Sequence, residues 1–332
     1  MRIHRSALLI LAAVLQTACG GGGGGDSGSN PPPPPPPPTG DTITSANGQS
    51  VATGVVTSTL FVKDLGLPDV AGPFVPTAVI GRPEQAKTAL NVAIGGGIRR
   101  GITALRGIET TSEDTIDCSL GGAITITTNI ATDGTLTVGD VVSAVFDACI
   151  ESDGTLNGAV DLTVNAVTGD VSNPPFSAGL DVSIDQVSLE QGDSLTSANG
   201  ALGATISSDT PEDLELVLAG TELATSVGDD TIVLRDFTID EVDDLSGGGY
   251  TLVVSGTFES AALGTYDFDT ATTLTGSGGD FPSAGELVIH GASDTSAHVI
   301  ALDDTNVRVE LDTNGDGAAD ESTDMTWADI GG

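Results

Sequence analysis

Residues 154–166 read GTLNGAVDLTVNA, and this stretch decides the fold class. Apolar and polar side chains alternate along it, which is the period of a β-strand with one buried face. The apolar set is Leu156, Val160, Leu162, Val164 and Ala166, and the polar set is Asn157, Asp161, Thr163 and Asn165. Strands that are buried on one face and solvated on the other are typical of antiparallel sheets.

The same alternation continues toward the C-terminus. At Gln186 its phase shifts, as a β-bulge would shift it. The other alternating apolar sets are Leu180, Val182 and Ile184; Val187 and Leu189; Leu214, Leu216 and Leu218; Tyr250, Leu252, Val254 and Phe258; and Val307, Val309 and Leu311. Turn residues separate these runs, so about a dozen strands fit. The pattern predicts one mainly β domain over residues 41–332, built as an antiparallel multi-stranded curved sheet or as a sandwich.

One segment breaks the alternation. Between Pro83 and Arg106 the residues Leu90, Ile94, Ile98 and Ile102 recur every four positions, which is the spacing of one helical face. Proline is well tolerated in the first turn of a helix. We therefore predict one amphipathic helix over about 83–106, near the N-terminus of the folded part. Its isoleucine face is expected to pack on the sheet, and a membrane-facing or acidic-partner face is the alternative.

Residues 1–18 are typical of an export signal peptide. Positive charge at Arg2 and Arg5 precedes an apolar run over residues 7–15, which is too short to anchor a chain in a bilayer. Cys19 then follows two small residues, and this resembles the lipobox of bacterial lipoproteins, with Gln16 where leucine is usual. The resemblance implies cleavage before Cys19, lipidation of its thiol and attachment to the membrane through that lipid. The alternative is an ordinary secretory signal followed by a chance cysteine.

Residues 19–40 form a tether in which a run of six glycines precedes a run of eight prolines. The glycines predict a flexible joint, and the prolines predict a stiff rod of roughly 25 Å. Such a tether holds a folded domain away from a membrane surface. A glycine after Cys19 resembles the outer-membrane sorting pattern of Gram-negative lipoproteins. We therefore expect a lipid-anchored protein of the outer membrane, at its periplasmic face or at the cell surface.

The charge balance narrows the partners. The chain carries 47 acidic residues against 10 lysines and arginines, a formal charge of −37. Phosphate backbones and anionic lipid headgroups repel such a chain, which disfavours nucleic acid as a partner. With Cys19 assigned to the lipid, Cys118 and Cys149 are the two remaining cysteines. In an oxidising compartment a single disulfide between them is the natural expectation.

Residues 312–320 read DTNGDGAAD and resemble the calcium loops of EF-hands, thrombospondin type 3 repeats and dockerins. The resemblance implies one structural Ca²⁺, with Gly317 at the sharp turn. The implied ligands are the side chains of Asp312, Asn314, Asp316 and Asp320 and the backbone carbonyl of Ala318. The last loop position is Thr323 instead of glutamate, and strand-like segments flank the loop. A strand–loop–strand site is therefore expected, and an acidic turn without metal is the alternative.

The chain also resembles a group of β-rich proteobacterial lipoproteins over roughly residues 83–330. The residues that carry this resemblance are Cys118, Gly121, Gly122, Gly139, Asp140, Cys149, the 312–320 loop and Trp327. The resemblance brings no activity with it, and no catalytic motif stands in a convincing context, so we do not expect an enzyme. The expected role is a structural or surface-interaction one, and a carrier of a lipid or other apolar ligand is the alternative. A hydrolase built on scattered carboxylates is a third and weaker interpretation.

Overall fold

The computed structural model describes residues 40–66, 112–129, 136–151, 154–171, 173–191, 194–227, 230–277 and 281–331. The predicted signal peptide at 1–18, the predicted lipidation site at Cys19 and the predicted helix at 83–106 lie outside these ranges. A helix does occur near the start of the folded part, but it spans Gly48–Gly66 (α1), where the sequence analysis predicted none.

Within the described ranges, fourteen strands make one antiparallel sheet, and each of them pairs with the next. They are β1 Ser112–Asp117, β2 Gly121–Asn129, β3 Val141–Glu151, β4 Gly154–Asp170, β5 Asn173–Gln191, β6 Ser194–Ser208, β7 Asp213–Val227, β8 Asp230–Asp244, β9 Gly249–Ser260, β10 Gly264–Ser277, β11 Ala284–His290, β12 Ser296–Ala301, β13 Asn306–Asp312 and β14 Glu321–Thr326. A 3₁₀ turn at Ala292–Asp294 precedes β12, and the short helix α2 at Trp327–Gly331 follows β14. The predicted antiparallel β class is confirmed, as one curved and unclosed sheet.

The predicted alternation of buried and exposed side chains is also confirmed over most of the sheet. The buried positions are Leu156, Val160, Leu162, Val164, Leu180, Val182, Ile184, Val187, Leu189, Leu214, Leu216, Leu218, Tyr250, Leu252, Val254, Phe258, Val307, Val309 and Leu311. The prediction for Ala166 is wrong, because its side chain is exposed instead of buried. The pairing of β4 with β5 shifts register between Val164 and Ala166, so the period-two pattern does not continue to Ala166.

α1 lies on the buried face of the sheet and contacts β7, β8, β12 and β13. Strands that stand several positions apart in a sheet can reach one helix only if the sheet curves around it, so α1 occupies the concave face. Val51, Ala52, Val55 and Val56 are all buried there. The helix comes close to the sheet at Gly54, where an added Cβ would lie 2.8 Å from the ring of Phe258.

The curvature has a local origin in a row of β-bulges. Ala148 in β3, Gln186 in β5 and Asp236 in β8 adopt left-handed backbone angles, with φ of 45°, 47° and 44°. Each lies at a register shift with the following strand. Bulges bend a strand and increase its twist. The predicted phase shift at Gln186 is therefore confirmed, as one of three bulges of the same kind.

Two asparagine–glycine pairs accommodate the bulges at Ala148 and Gln186. Asn157 in β4 accepts the backbone N–H of Ala148 at 3.0 Å, and Asn199 in β6 accepts that of Gln186 at 3.3 Å. The residue after each asparagine is glycine, with φ of 109° at Gly158 and 151° at Gly200. A Cβ on Gly158 would lie 2.6 Å from the backbone oxygen of Gln186, so a side chain does not fit there.

Candidate functional site

The loop at 312–320 joins β13 to β14 and forms the strand–loop–strand hairpin that the sequence predicted. Asp312 is the last residue of β13, and it is only 3% exposed. One of its carboxylate oxygens accepts the backbone N–H groups of Asn314 at 3.2 Å and Gly315 at 2.7 Å. The other oxygen accepts the N–H of Gly317 at 2.7 Å. The Asp312 carboxylate therefore fixes the loop by accepting hydrogen bonds from the loop's backbone N–H groups.

The other predicted ligands are held in the same way. Asn314 accepts the N–H of Asp316 and Asp316 accepts the N–H of Ala318, both at 2.9 Å. Asp320 accepts the backbone N–H of Thr313 at 2.9 Å and the side-chain amide of Asn314, also at 2.9 Å. The structure thus brings Asp312, Asn314, Asp316, Ala318 and Asp320 into one tight turn. Each of the four oxygen-bearing side chains accepts at least one hydrogen bond within the loop.

The ionisation of Asp312 reflects two opposing influences. Burial is the larger single influence and favours the neutral acid, while backbone N–H groups from Gly317, Gly315, Asn314 and Asp316 favour the carboxylate. The four donors together outweigh burial, so the pKa of Asp312 lies below its ordinary value. The loop therefore stabilises a carboxylate anion with its own dipoles.

The fit of this loop to calcium can be judged from its donors. Spacing, oxygen donors and left-handed glycines at Gly315 and Gly317 match what a calcium turn needs. In the described ranges, however, no three His, Cys, Asp or Glu side chains converge closely enough to hold a metal ion. The donor types are those that calcium prefers, and the carboxylates of Asp316 and Asp320 here accept hydrogen bonds from the loop itself.

The loop is anchored on the molecule at two points. A Cβ on Gly315 would collide with the backbone oxygen of Ser293 in the 3₁₀ turn, so the two segments pack tightly. Beyond β14, the indole of Trp327 is buried and donates to the carbonyl oxygens of Pro282 at 3.0 Å and Asp303 at 3.1 Å. Phe281 stacks on it, with ring centres 5.6 Å apart. Trp327 thereby fixes the end of the hairpin.

Cys118 and Cys149 form the predicted disulfide, with their Cα atoms 5.4 Å apart. The bond ties the turn before β2 to the end of β3. Asp140 marks the turn into β3, where its carboxylate accepts the N–H of Thr137 at 2.7 Å and the hydroxyl of Thr137 at 2.9 Å. The resemblance residues in this region therefore hold the first hairpins together.

A polar cluster that sequence reasoning missed lies on the outer face, opposite to α1. The imidazole of His298 bridges Glu286 at 2.6 Å and Ser296 at 3.0 Å. His290 contacts Asp269, also at 2.6 Å. Alternation along Ser296-Ala297-His298 could have placed the serine and histidine on one face. Glu286 comes from another strand, and only the pairing of β11 with β12 brings it close.

Two spaces bear on the carrier alternative. Beneath α1, the cavity between Val56, Leu60 and Trp327 measures about 20 Å³, which is room for about one water molecule. A second space of about 610 Å³ is a shallow open groove on the outer face of β4 to β8. Small residues such as Ala201 and Gly203 line it. The space beneath α1 is too small for a lipid, and the groove is open to solvent.

No family model, curated protein or solved structure matches this chain. Within the described ranges, no helix is both long and apolar enough to cross a membrane.

Proposed function

We propose that this chain is a lipid-anchored protein of the bacterial cell envelope whose β domain has a structural or surface-interaction role. The observation that carries this proposal is the packing of α1 on the concave face at β7, β8, β12 and β13, with Val51, Val55 and Val62 0% exposed. The space that a carrier would use for an apolar ligand is occupied there by the protein's own helix.

The anchor and the location rest on the sequence. The signal peptide at 1–18, Cys19 and the glycine–proline tether at 19–40 support attachment to the outer membrane. The Cys118–Cys149 disulfide supports the same proposal, because disulfides persist in oxidising compartments outside the cytoplasm. The negative charge of the chain supports a partner other than nucleic acid.

We also propose that the 312–320 loop binds one structural Ca²⁺. Asp312, Asn314, Asp316 and Asp320 would supply side-chain oxygens, and Ala318 its backbone carbonyl. Bound there, the ion would neutralise carboxylates that lie close together on a strongly anionic chain. Its role would be to stiffen the β13–β14 hairpin, so the proposal concerns stability and assigns the ion no reaction.

Metabolic labelling tests the anchor. Expressed from its full gene in a Gram-negative host fed a labelled fatty acid, the parent should carry the label, and Cys19→Ser should carry none. A double variant, Cys118→Ser with Cys149→Ser, is the matched control, because it removes two cysteines and keeps Cys19. It should retain the label per molecule recovered. Equal labelling of parent and Cys19→Ser would rule out the proposed anchor.

A further inference from the structure

A serine, a histidine and a glutamate form one hydrogen-bonded chain on the outer face of β11 and β12. We propose that Ser296, His298 and Glu286 act as a nucleophile, a general base and a positioning residue, and that Ser296 attacks small carboxylic esters. The inference stands on the geometry of these side chains and does not depend on the lipid anchor or on calcium.

The order of the atoms carries the inference. His298 Nδ1 lies 2.6 Å from Glu286 Oε1, and His298 Nε2 lies 3.0 Å from Ser296 Oγ. An ionised carboxylate only accepts hydrogen bonds, so Nδ1 carries the proton that bridges to Glu286. In the neutral imidazole, Nε2 then has a free lone pair, and the Ser296 hydroxyl donates to it. This is the arrangement in which a histidine can remove a serine proton.

The strands fix this arrangement. Ser296 and His298 are two residues apart in β12, so both side chains project from the same face. Their neighbours Ala297 and Val299 project to the other face and are buried in the core. The β11–β12 register places Glu286 opposite Ile300, one position beyond His298 on that face. The three side chains are therefore held by paired strands.

The surroundings of His298 combine apolar and acidic groups. Val288, which is 7% exposed, is its cross-strand partner in β11, and Glu310 is its partner in β13. Arg308 lies 4.0 Å from Glu310 and also pairs with Asp324. The cross-strand partner of Ser296 in β13 is Asp312, whose carboxylate accepts N–H groups of its own loop.

The side chains of His298 and Glu286 are 35% and 29% exposed, so a small ester can reach the site from solvent.

The proposed step is an acyl transfer to the serine. The Ser296 oxygen forms a bond to the ester carbonyl carbon as its proton moves to His298 Nε2. The bond from that carbon to the alkoxy oxygen then breaks, and the alcohol leaves with the proton. Water, deprotonated by His298, releases the carboxylic acid in the same way and restores the serine. The reaction is a hydrolysis, and it needs no redox partner.

The test is covalent labelling of the processed full-length chain with a fluorophosphonate, followed by peptide mapping. The adduct should form on Ser296, at least ~100-fold faster than on the other serines, within the range that general-base catalysis supplies. Ser296→Ala, which removes one oxygen, should abolish that adduct, and His298→Gln should slow it by about the same 100-fold factor. His290→Gln tests the neighbouring histidine, because His290 is the cross-strand partner of Ser296 and bridges to Asp269. Labelling of Ser296 should persist in this variant, since the Ser296 hydroxyl donates to His298.

Glu286 needs a readout that a merely structural role would not move. In Glu286→Gln the side chain keeps its size but loses the charged oxygen that accepts a hydrogen bond from His298 Nδ1. The labelling rate of Ser296 should fall about tenfold, with the melting temperature near the parent's. Glu286→Asp, which keeps a carboxylate, should recover part of that rate.

Three outcomes would overturn the proposal. The first is no adduct at Ser296 above the level of the other serines, and this outcome stands even if a histidine variant fails to fold. The second is equal labelling of Ser296 in the parent and in folded His298→Gln. The third is a labelling rate of Ser296 in folded Glu286→Gln equal to the parent's, which would remove Glu286 from the mechanism and leave only a polar surface network.

Discussion

Asp312 shows how one side chain can shape a loop through the main chain. Its two oxygens accept three backbone N–H groups, from Asn314, Gly315 and Gly317. Those donors lie in a turn that only left-handed glycines allow, with φ of 74° at Gly315 and 82° at Gly317. The spacing of the acidic residues could be read from the sequence. Their hydrogen bonds to the main chain could not, because they depend on how the hairpin closes.

The lowered pKa of Asp312 predicts an acid-sensitive stability. A carboxylate with a native pKa below its unfolded value contributes stability above the unfolded pKa, and this contribution is lost as pH falls through the native pKa. Asp312→Asn should therefore lower the melting temperature at pH 7, and the difference from the parent should shrink as pH falls below about 4. Thermal melts across this pH range measure it. A gap that stays constant down to the native pKa would contradict this account of Asp312.

Calcium binding is predicted to raise stability. A ligand that binds only the folded state contributes about 2.7 kcal/mol at a hundredfold excess over its Kd. The melting temperature should therefore be higher in millimolar calcium than in chelator, and magnesium should do less, because it gives up water reluctantly. Asp316→Ala should remove most of the calcium increment, and Asp209→Ala, an exposed acid outside the loop, should not. Equal increments in both variants would show that calcium only screens surface charge.

The contacts among Ser296, His298 and Glu286 could not be predicted from the sequence. These three are ordinary residues in two strands, and Glu286 stands ten positions before Ser296. No motif joins them, because the β11–β12 hairpin makes the contact. A histidine on a strand is usually solvated or packed. The hydrogen-bond order at His298 is what sets this one apart.

Among the elements, α1 could not be predicted, because the local sequence favours a strand over a helix. Residues 48–66 are rich in valine and threonine, which favour strands because their branched side chains lose rotamer freedom in a helix. Burial decides otherwise, since Val51, Val55 and Val62 are fully covered. Ser58 and Thr59 satisfy their hydroxyls on the carbonyls of Gly54 and Val55, at 2.7 and 2.8 Å. Tertiary packing thus overrides propensity in α1.

The strands were easier to predict, because one buried face imposes a period of two. Gln186 could be identified as a bulge from the sequence, because buried residues stand on both sides of it and their phases differ. Ala166 could not be placed correctly. Alanine is small and fits either face, so nothing in its type revealed the register shift after Val164.

The bulges predict a specific cost at Gly158. Gly158→Ala places a Cβ 2.6 Å from backbone atoms of Gln186 and Val187, at φ 109°. We expect a loss of about 2–3 kcal/mol in the free energy of unfolding, from the strained backbone and the contact together. Urea unfolding measures it. Gly203→Ala is the matched control in β6, because its Cβ would meet only one atom, at an ordinary 3.8 Å. Equally small losses in the two variants would show that the bulge at Gln186 does not require glycine at position 158.

At the scale of the whole molecule, the sheet is curved and unclosed, and among the described residues β1 and β14 are its edge strands. Exposed edge strands invite pairing with other chains, and charged side chains discourage it. β1 exposes Glu113 and Asp117, and β14 exposes Glu321 and Asp324. The acidic composition, which disfavours nucleic acid as a partner, therefore also discourages these strands from pairing with other chains.

The carrier and structural roles differ in what fills the concave face. The sequence predicted a curved sheet. It did not predict the helix on the concave face, because residues 48–66 carry no helical pattern. The space left beneath α1 is about 20 Å³. This small space is the reason for proposing a structural or surface-interaction role instead of the binding of an apolar ligand.

Native mass spectrometry of the processed chain, extracted from the envelope in detergent with calcium present, tests this claim most directly. The account predicts the mass of the lipidated chain from Cys19 onward plus one Ca²⁺, with no other ligand retained. Asp316→Ala should lose the calcium increment and otherwise give the same spectrum. A lipid or other apolar molecule retained one-to-one by the folded chain, beyond the covalent lipid, would contradict the proposed structural role and favour a carrier.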